Sequence, residues 1–334
     1  MKRAALAASP ALLGVLVSCV VGPPAPPEPP PVVEGDSGAW ELIAPLSSPR
    51  QEHAVVALGG EVVILGGFDD VTTVNAVEAY APSANSWRSL APLPLPLHHP
   101  NAAVAIVDGA ERLIVAGFLV GAEFRADRRV LILDGDSWRE GLSHPEGEGR
   151  GASAVCAIDD AVYVFGGSAN GSRSEASRYL AASDTWEALP DLPRRLDHVL
   201  CVAHDGALWI VSGRENGLRN HTAALLRFDP VAETYETKAS MPTSRAGAAA
   251  AVVDDALYVV GGEGNPDDPS GVYDAAERYD FATDTWTSII AMRTPRHGMG
   301  AAGVDGVLYV PGGAPVQAFG AIDVNERFVP VSSP

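Results

Sequence analysis

The chain repeats itself. An aromatic residue recurs at Trp40, Trp87, Trp138, Trp186, Tyr235 and Trp286, about 50 residues apart each time. A small residue followed by glycine recurs at Gly66-Gly67, Ala116-Gly117, Gly166-Gly167, Ser212-Gly213, Gly261-Gly262 and Gly312-Gly313. A short, constant step before the aromatics stands another large apolar side chain: Tyr80, Leu131, Tyr179, Phe228 and Tyr279, with Phe328 in the last copy. Three registers that agree copy after copy exclude coincidence. A unit this short cannot bury a face alone, so the copies must stack into one body instead of separate domains.

Within each copy the pattern is that of strands. Small residues dominate a first segment (102–107, 151–158, 247–253, 300–304), and a turn such as Leu58-Gly59-Gly60, Asp205-Gly206 or Asp305-Gly306 leads into a second. The run Ala248-Ala249-Ala250-Ala251 would read as helix on propensity alone. Its register with plainly strand-like copies makes it a strand, and its small side chains suit a place near an axis where strands converge. Tyr163, Trp209, Tyr258 and Tyr309 hold equivalent places on the second strand, and the small-Gly pair then ends it. With 34 Gly and 27 Pro in 334 residues, the composition supports many short strands over a few long helices.

A period near 50 with these marks resembles the kelch repeat, and the resemblance covers residues 39–334. It implies an all-β, six-bladed β-propeller in which each copy is one four-stranded blade. After Phe328 the chain stops at Pro334 without an outer strand. The segment Trp40-Glu41-Leu42-Ile43 reads as that missing strand, so the N-terminus is expected to close the ring and leave no free edge at the seam.

The first residues read as an address. Lys2 and Arg3 precede an apolar stretch, Ala4 to Val17, interrupted by Ser9 and Pro10, which is a secretory signal and too short for a span. Leu16-Val17-Ser18-Cys19 resembles the lipobox of bacterial lipoproteins. That resemblance implies a signal peptide over 1–18 and a lipid on Cys19. Residues 19–38 are proline-rich, with Pro23, Pro24, Pro26, Pro27, Pro29, Pro30 and Pro31, and read as a polyproline tether. The expectation is an exported protein anchored by lipid in the bacterial cell envelope, with the outer membrane favoured because Val20 is not the aspartate of inner-membrane retention. The net charge of −19 excludes nucleic acid as the main partner.

Arginine recurs at the head of the first strand: Arg50, Arg150, Arg195, Arg245 and Arg296, with Leu97-His98-His99-Pro100 in the second copy. These side chains are expected to face one mouth of the channel as a positive funnel for an anionic ligand. His53, His99, His198 and His297 belong to the same candidate site. The loops at about 68–77, 118–129, 168–177, 214–225, 263–276 and 314–326 should form its rim. No metal site or cofactor is expected: His98 and His99 are neighbours and point apart, and Asn265, Asp267 and Asp268 fit no calcium loop. Cys156 and Cys201 lie on first strands of adjacent copies, and the expectation is two free, buried thiols.

No paired carboxylates, Ser-His-Asp set or nucleophile elbow stands out, and no catalytic residue is assigned. The resemblance therefore implies a non-catalytic, monomeric binding module that presents one mouth to a protein or an anionic glycan. An alternative is a sugar-processing enzyme similar to N-acetylneuraminate epimerase, with Glu215 or Glu263 working beside Arg195 or Arg245. A third reading is a structural scaffold of the envelope.

Overall fold

The computed structural model describes residues 33–35 and 37–331. The signal segment, Cys19 and the tether as far as residue 32 lie outside the described residues. Among the described residues, strands form six antiparallel sheets arranged as the blades of a propeller, and there is no helix. Blade 1 runs outward from the axis as Ala54–Leu58, Glu61–Leu65, Val77–Ala81 and Ser86–Ser89. Blades 3, 4 and 5 repeat this order, with innermost strands Ala154–Ile158, Leu200–His204 and Ala249–Val253.

The ring closes as the sequence implies. Gly38–Leu42 pairs with Asn325–Pro330, with Trp40 opposite Phe328, and completes blade 6 on Val307–Pro311 and Ala302–Val304. Val33–Gly35, in a stretch read as tether, folds back on Gly38–Leu42 as a fifth strand. First and last strands in one sheet remove the exposed edge that an open ring would carry.

The recurring aromatics are explained by what they bridge. Trp87 packs on Tyr80, Trp186 on Tyr179, Trp286 on Tyr279 and Tyr235 on Phe228, with ring centroids 4.8–5.2 Å apart. Each also donates to a carbonyl of the preceding blade, as does Trp138 to Ala91: Trp87 Nε1 to Ala44, Trp186 Nε1 to Leu142, Trp286 Nε1 to Ala239, and the Tyr235 hydroxyl to Pro190. One side chain thus supplies apolar area within its blade and a directed bond to the next.

Blade 2 departs from the pattern in two places. Its hairpin from Asp134 to Ser137 is shorter than that of blade 1, so Leu133, and not Leu131, stands opposite Trp138. The pair Ala116-Gly117 does not end its strand: the register shifts there as a bulge and pairing resumes at Phe118, opposite Asp127. Strands Ala110–Val120 and Arg125–Asp134 therefore extend through what reads as a loop, and their hairpin tip carries Phe124. Elsewhere the small-Gly pair does end the strand. At Gly67, with φ 91°, a Cβ would run into the Gln51 carbonyl oxygen.

The innermost strands approach more closely than an open channel would require. Cys156 and Cys201, on blades 3 and 4, have Cα atoms 5.5 Å apart and form a disulfide. This corrects the expectation of free thiols. The small side chains of this layer bring neighbouring strands within disulfide reach at matched positions.

Candidate functional site

Each blade enters its innermost strand through one residue with left-handed backbone: Glu52, His99, Ala152, His198, Gly247 and Gly298, with φ between 49° and 64°. That conformation turns the amide of each toward the preceding blade. Glu52 N–H donates to Gly298 O, His99 to Glu52, Ala152 to His99, His198 to Ala152, Gly247 to His198 and Gly298 to Gly247, at 2.6–3.2 Å. The result is a closed ring of backbone hydrogen bonds around the axis. It narrows the channel to a throat, with a mouth on one side and the small-residue layer on the other.

Three of these six positions carry a polar side chain, and all three meet in the mouth. His99 Nε2 lies 3.1 Å from Glu52 Oε2 and 3.1 Å from His198 Nε2. Behind them Asp197 accepts from His198 Nδ1 at 2.6 Å and from Arg214 Nε at 3.0 Å. Arg214 also pairs with Glu263, and its Nη2 donates to His198 Nε2 at 3.2 Å. Glu263 takes a further bond from Gln317 Nε2 at 3.2 Å. Burial and the neighbouring His198 and His98 hold the His99 imidazolium well below its ordinary pKa. Burial also pushes His98 down to about 4. Hydrogen bonds from His198 and Ser172 and the charge of Arg214 outweigh burial at Asp197 and hold its carboxyl far below the usual range.

Above this polar floor the walls are apolar. Phe68, Phe124, Leu218, Ala318 and Phe319 line a cavity of about 170 Å³ together with the floor groups and His297. Phe68 packs edge-on against Phe319 at 5.2 Å and lies 4.4 Å from the His98 ring. Phe124 is 39% exposed, Leu218 47% and Phe319 44%, so the rim offers three large apolar side chains to solvent. They come from loops of different blades, as the loop-rim expectation requires.

The arginines are elsewhere, and the expected positive funnel is corrected. Arg50, Arg150, Arg245 and Arg296 are at most 1% exposed. Each guanidinium turns inward, bonding within its own blade: Arg245 to Val259 O and Glu277, Arg296 to Val310 O and Glu326, Arg50 to Gly66 O and Glu78. Arg150 reaches Val164 O and the Ser177 hydroxyl instead. Arg195 is one residue out of register, since Leu196 occupies the equivalent place, and it is exposed. Burying a long cation between strands is stable only with partners, and the third strand supplies them.

Of the histidines, His99, His198 and His297 reach the mouth. His53 does not: it is buried beside the throat with Nε2 3.2 Å from Pro311 O, and burial with the Arg50 charge pushes it down to about 3. Glu215 stands on the surface with Arg194, apart from the buried Arg245. The floor's Glu52, Asp197 and Arg214 have no repeating residue type. Their only shared signal is position, one or two residues after the recurrent arginine or in the following small-Gly loop.

Comparison with known proteins agrees with the architecture. The family model described as the KLHDC2/KLHL20/DRC7 Kelch-repeats domain matches residues 142–313, and the Kelch motif matches residues 49–94. Kelch-like protein terF of Aspergillus terreus is 32% identical over 301 residues, covering 84% of this chain and 65% of that protein. Kelch-like protein 35 of Mus musculus is 29% identical over 203 residues, 60% of this chain and 33% of that protein. Beta-scruin of Limulus polyphemus is 25% identical over 289 residues, 80% of this chain and 31% of that protein. The chain therefore spans about two thirds of the first relative and about a third of the other two. With repeats, blades and closure all in place, the chain belongs to the kelch-repeat family.

Proposed function

We propose that the chain is an exported, lipid-anchored binding module whose propeller mouth receives a side chain from a partner protein. The observation that carries this reading is the rim: Phe124, Leu218 and Phe319 stand exposed around a cavity of about 170 Å³. Pockets that enclose whole small molecules run to about 300–1,000 Å³. The cavity here suits one apolar side chain, with the exposed rim left for the flanking residues of a partner. An anionic glycan fits less well, because the floor carries Glu52 and Glu263 and its one guanidinium, Arg214, is already paired with Glu263.

Export and anchoring rest on the lipobox-like Leu16 to Cys19. They are supported by the Cys156–Cys201 disulfide, a bond characteristic of oxidising compartments. The sugar-anomer reading loses its carboxylate receptor, since Arg245 is buried in a structural pair and Arg195 lies away from the mouth.

A photo-crosslinking amino acid at Leu218, on cells of the native host, tests the binding reading. A protein adduct at Leu218 that is lost with Phe124→Asp, and absent from a control label at exposed Val231, is the expected result. Stabilisation of the chain by acidic sugars with no protein adduct would overturn it. Mass analysis of the N-terminal peptide from the same membranes reads the anchor directly, and an unmodified Cys19 would remove it.

A further inference from the structure

The floor of the mouth poses a problem of protons. His98 Nε2 lies 3.1 Å from the Gly121 carbonyl, which can only accept, so His98 carries its proton there and leaves Nδ1 as a lone pair. His99 Nδ1, 2.6 Å from that atom, must then donate, which in an uncharged ring leaves Nε2 as a lone pair. Asp197 likewise fixes the proton of His198 on Nδ1 and leaves its Nε2 as a lone pair. The His99 lone pair and the Glu52 carboxylate therefore face each other, acceptor against acceptor, and the His198 lone pair, which Arg214 Nη2 approaches at 3.2 Å, points at the same place.

A second atom shows the same defect independently. His297 Nε2 donates to Val316 O at 3.0 Å, which in an uncharged ring leaves Nδ1 as an acceptor. His297 is 2% exposed, and Nδ1 makes no hydrogen bond; it faces Glu52 Oε1 at 3.7 Å and Glu263 Oε2 at 3.9 Å. The charges are out of balance as well. Glu52, Asp197 and Glu263, at most 12% exposed, share the floor with one guanidinium, Arg214, which pairs with Asp197 and Glu263. A buried cluster of this kind suits a cation with two charges at its centre.

We propose that Glu52 Oε2, His99 Nε2 and His198 Nε2 hold a divalent transition-metal ion of the zinc type at the floor of the mouth, with a fourth position open to the cavity. The two imidazole nitrogens favour zinc and its neighbours over calcium or magnesium, and a carboxylate is a common third ligand of zinc. A tetrahedral ion with bonds of about 2.0–2.1 Å sets its ligands roughly 3.3 Å apart. The ligand atoms lie within 4.8 Å of one another, and two of the three separations are 3.1 Å. The outer partners of such a site are already in place, since Asp197 and His98 fix the tautomers of the two ligating rings. On loading, Arg214 Nη2 gives up His198 and keeps Asp197 through Nε and Glu263 through Nη1. The expectation that His98 and His99 point apart is corrected: left-handed backbone at His99 turns the two rings together, Nδ1 to Nδ1 at 2.6 Å, and His99 finds its companion ligands Glu52 and His198 on two other blades.

The test uses the untagged full chain with Cys19→Ser, stripped with chelator and then titrated with Zn²⁺ by calorimetry. Elemental analysis after dialysis and the visible spectrum of the Co²⁺-loaded chain accompany it. The expected result is one equivalent of zinc, a Co²⁺ spectrum of tetrahedral type, and affinity at least ~10-fold weaker in Glu52→Gln. Glu52→Gln preserves shape, and His198→Asn serves as a second variant should it misfold. His204→Gln, which removes a histidine outside the mouth, should bind as the parent does. Absence of stoichiometric zinc in the parent overturns the proposal. So does binding that neither floor variant weakens.

Discussion

At the scale of single residues, burial sets the acid response. His144 is buried and stacks on Trp186 with ring centroids 3.5 Å apart, and neither ring nitrogen makes a hydrogen bond. Burial and the Arg150 charge push its pKa down to about 3, against 6.5 for an unperturbed ring. Between those values the unfolded chain takes up a proton that the folded chain refuses. Stability is therefore fully present above pH 6.5 and falls as pH drops toward 3, by about 1.4 kcal/mol per pH unit for each such histidine. His144→Phe keeps the stack and removes the titration. Urea unfolding at a series of pH values should show a shallower loss between pH 6.5 and 4 in the variant, with little change at pH 8. Equal slopes would mean that His144 takes up its proton in the folded state. At this scale the sequence was informative where one residue type solves one recurrent problem. Trp87, Trp138, Trp186 and Trp286 each need a flat apolar ring and a donor, so the type repeats. Glu52, His99 and His198 share only a left-handed backbone with Ala152, Gly247 and Gly298, and no residue type marks that in a sequence.

At the scale of strands and blades, the arginine at the head of the innermost strand is half of a structural pair. Arg50 meets Glu78, Arg245 meets Glu277 and Arg296 meets Glu326, all buried. Where the arginine is replaced by leucine, in blades 2 and 4, apolar Leu131 and Leu226 stand at the partner position. Leu97 then packs in one core cluster with Leu131, and Leu196 in another with Leu226. The repeat has thus solved the same contact twice, once with ions and once with hydrocarbon. Removing one partner leaves the other charge buried and bare, which costs about 3–5 kcal/mol, whereas replacing both by well-packed apolar residues is often neutral. Arg296→Leu should therefore destabilise strongly, and Arg296→Leu with Glu326→Leu should recover most of the loss in chemical denaturation. A double variant no better than the single would show that the backbone bonds of Arg296 to Val310 O and Thr294 O matter more than its charge. The recurrence of arginine was plain in the sequence. Its direction was not, because a partner on the third strand is visible only once strand register is known.

At the scale of the whole molecule, two covalent and topological ties act on a ring that otherwise closes by contacts between neighbours. One is the shared sheet of Gly38–Leu42 and Asn325–Pro330, which was legible because the last copy lacks an outer strand and the first residues of the domain supply one. The other is the Cys156–Cys201 disulfide, which was not legible, because the spacing of innermost strands depends on how tightly small residues let the blades converge. The bond joins blades 3 and 4 across 45 residues of sequence. A loop of that length, cross-linked in the unfolded chain, should add about 4 kcal/mol to stability by the chain-entropy relation. Thiol titration of the unfolded protein should therefore find Cys156 and Cys201 blocked in exported material and free after reduction. Reduction should lower the urea midpoint of the parent and leave that of a Cys156→Ala, Cys201→Ala variant unchanged. Free thiols in exported, unreduced protein would sink the disulfide, and the support it lends to export would go with it. A bond present but without effect on the midpoint would place the loss elsewhere. It would mean that the six-membered ring of backbone hydrogen bonds and the shared seam hold blades 3 and 4 in register without a covalent link.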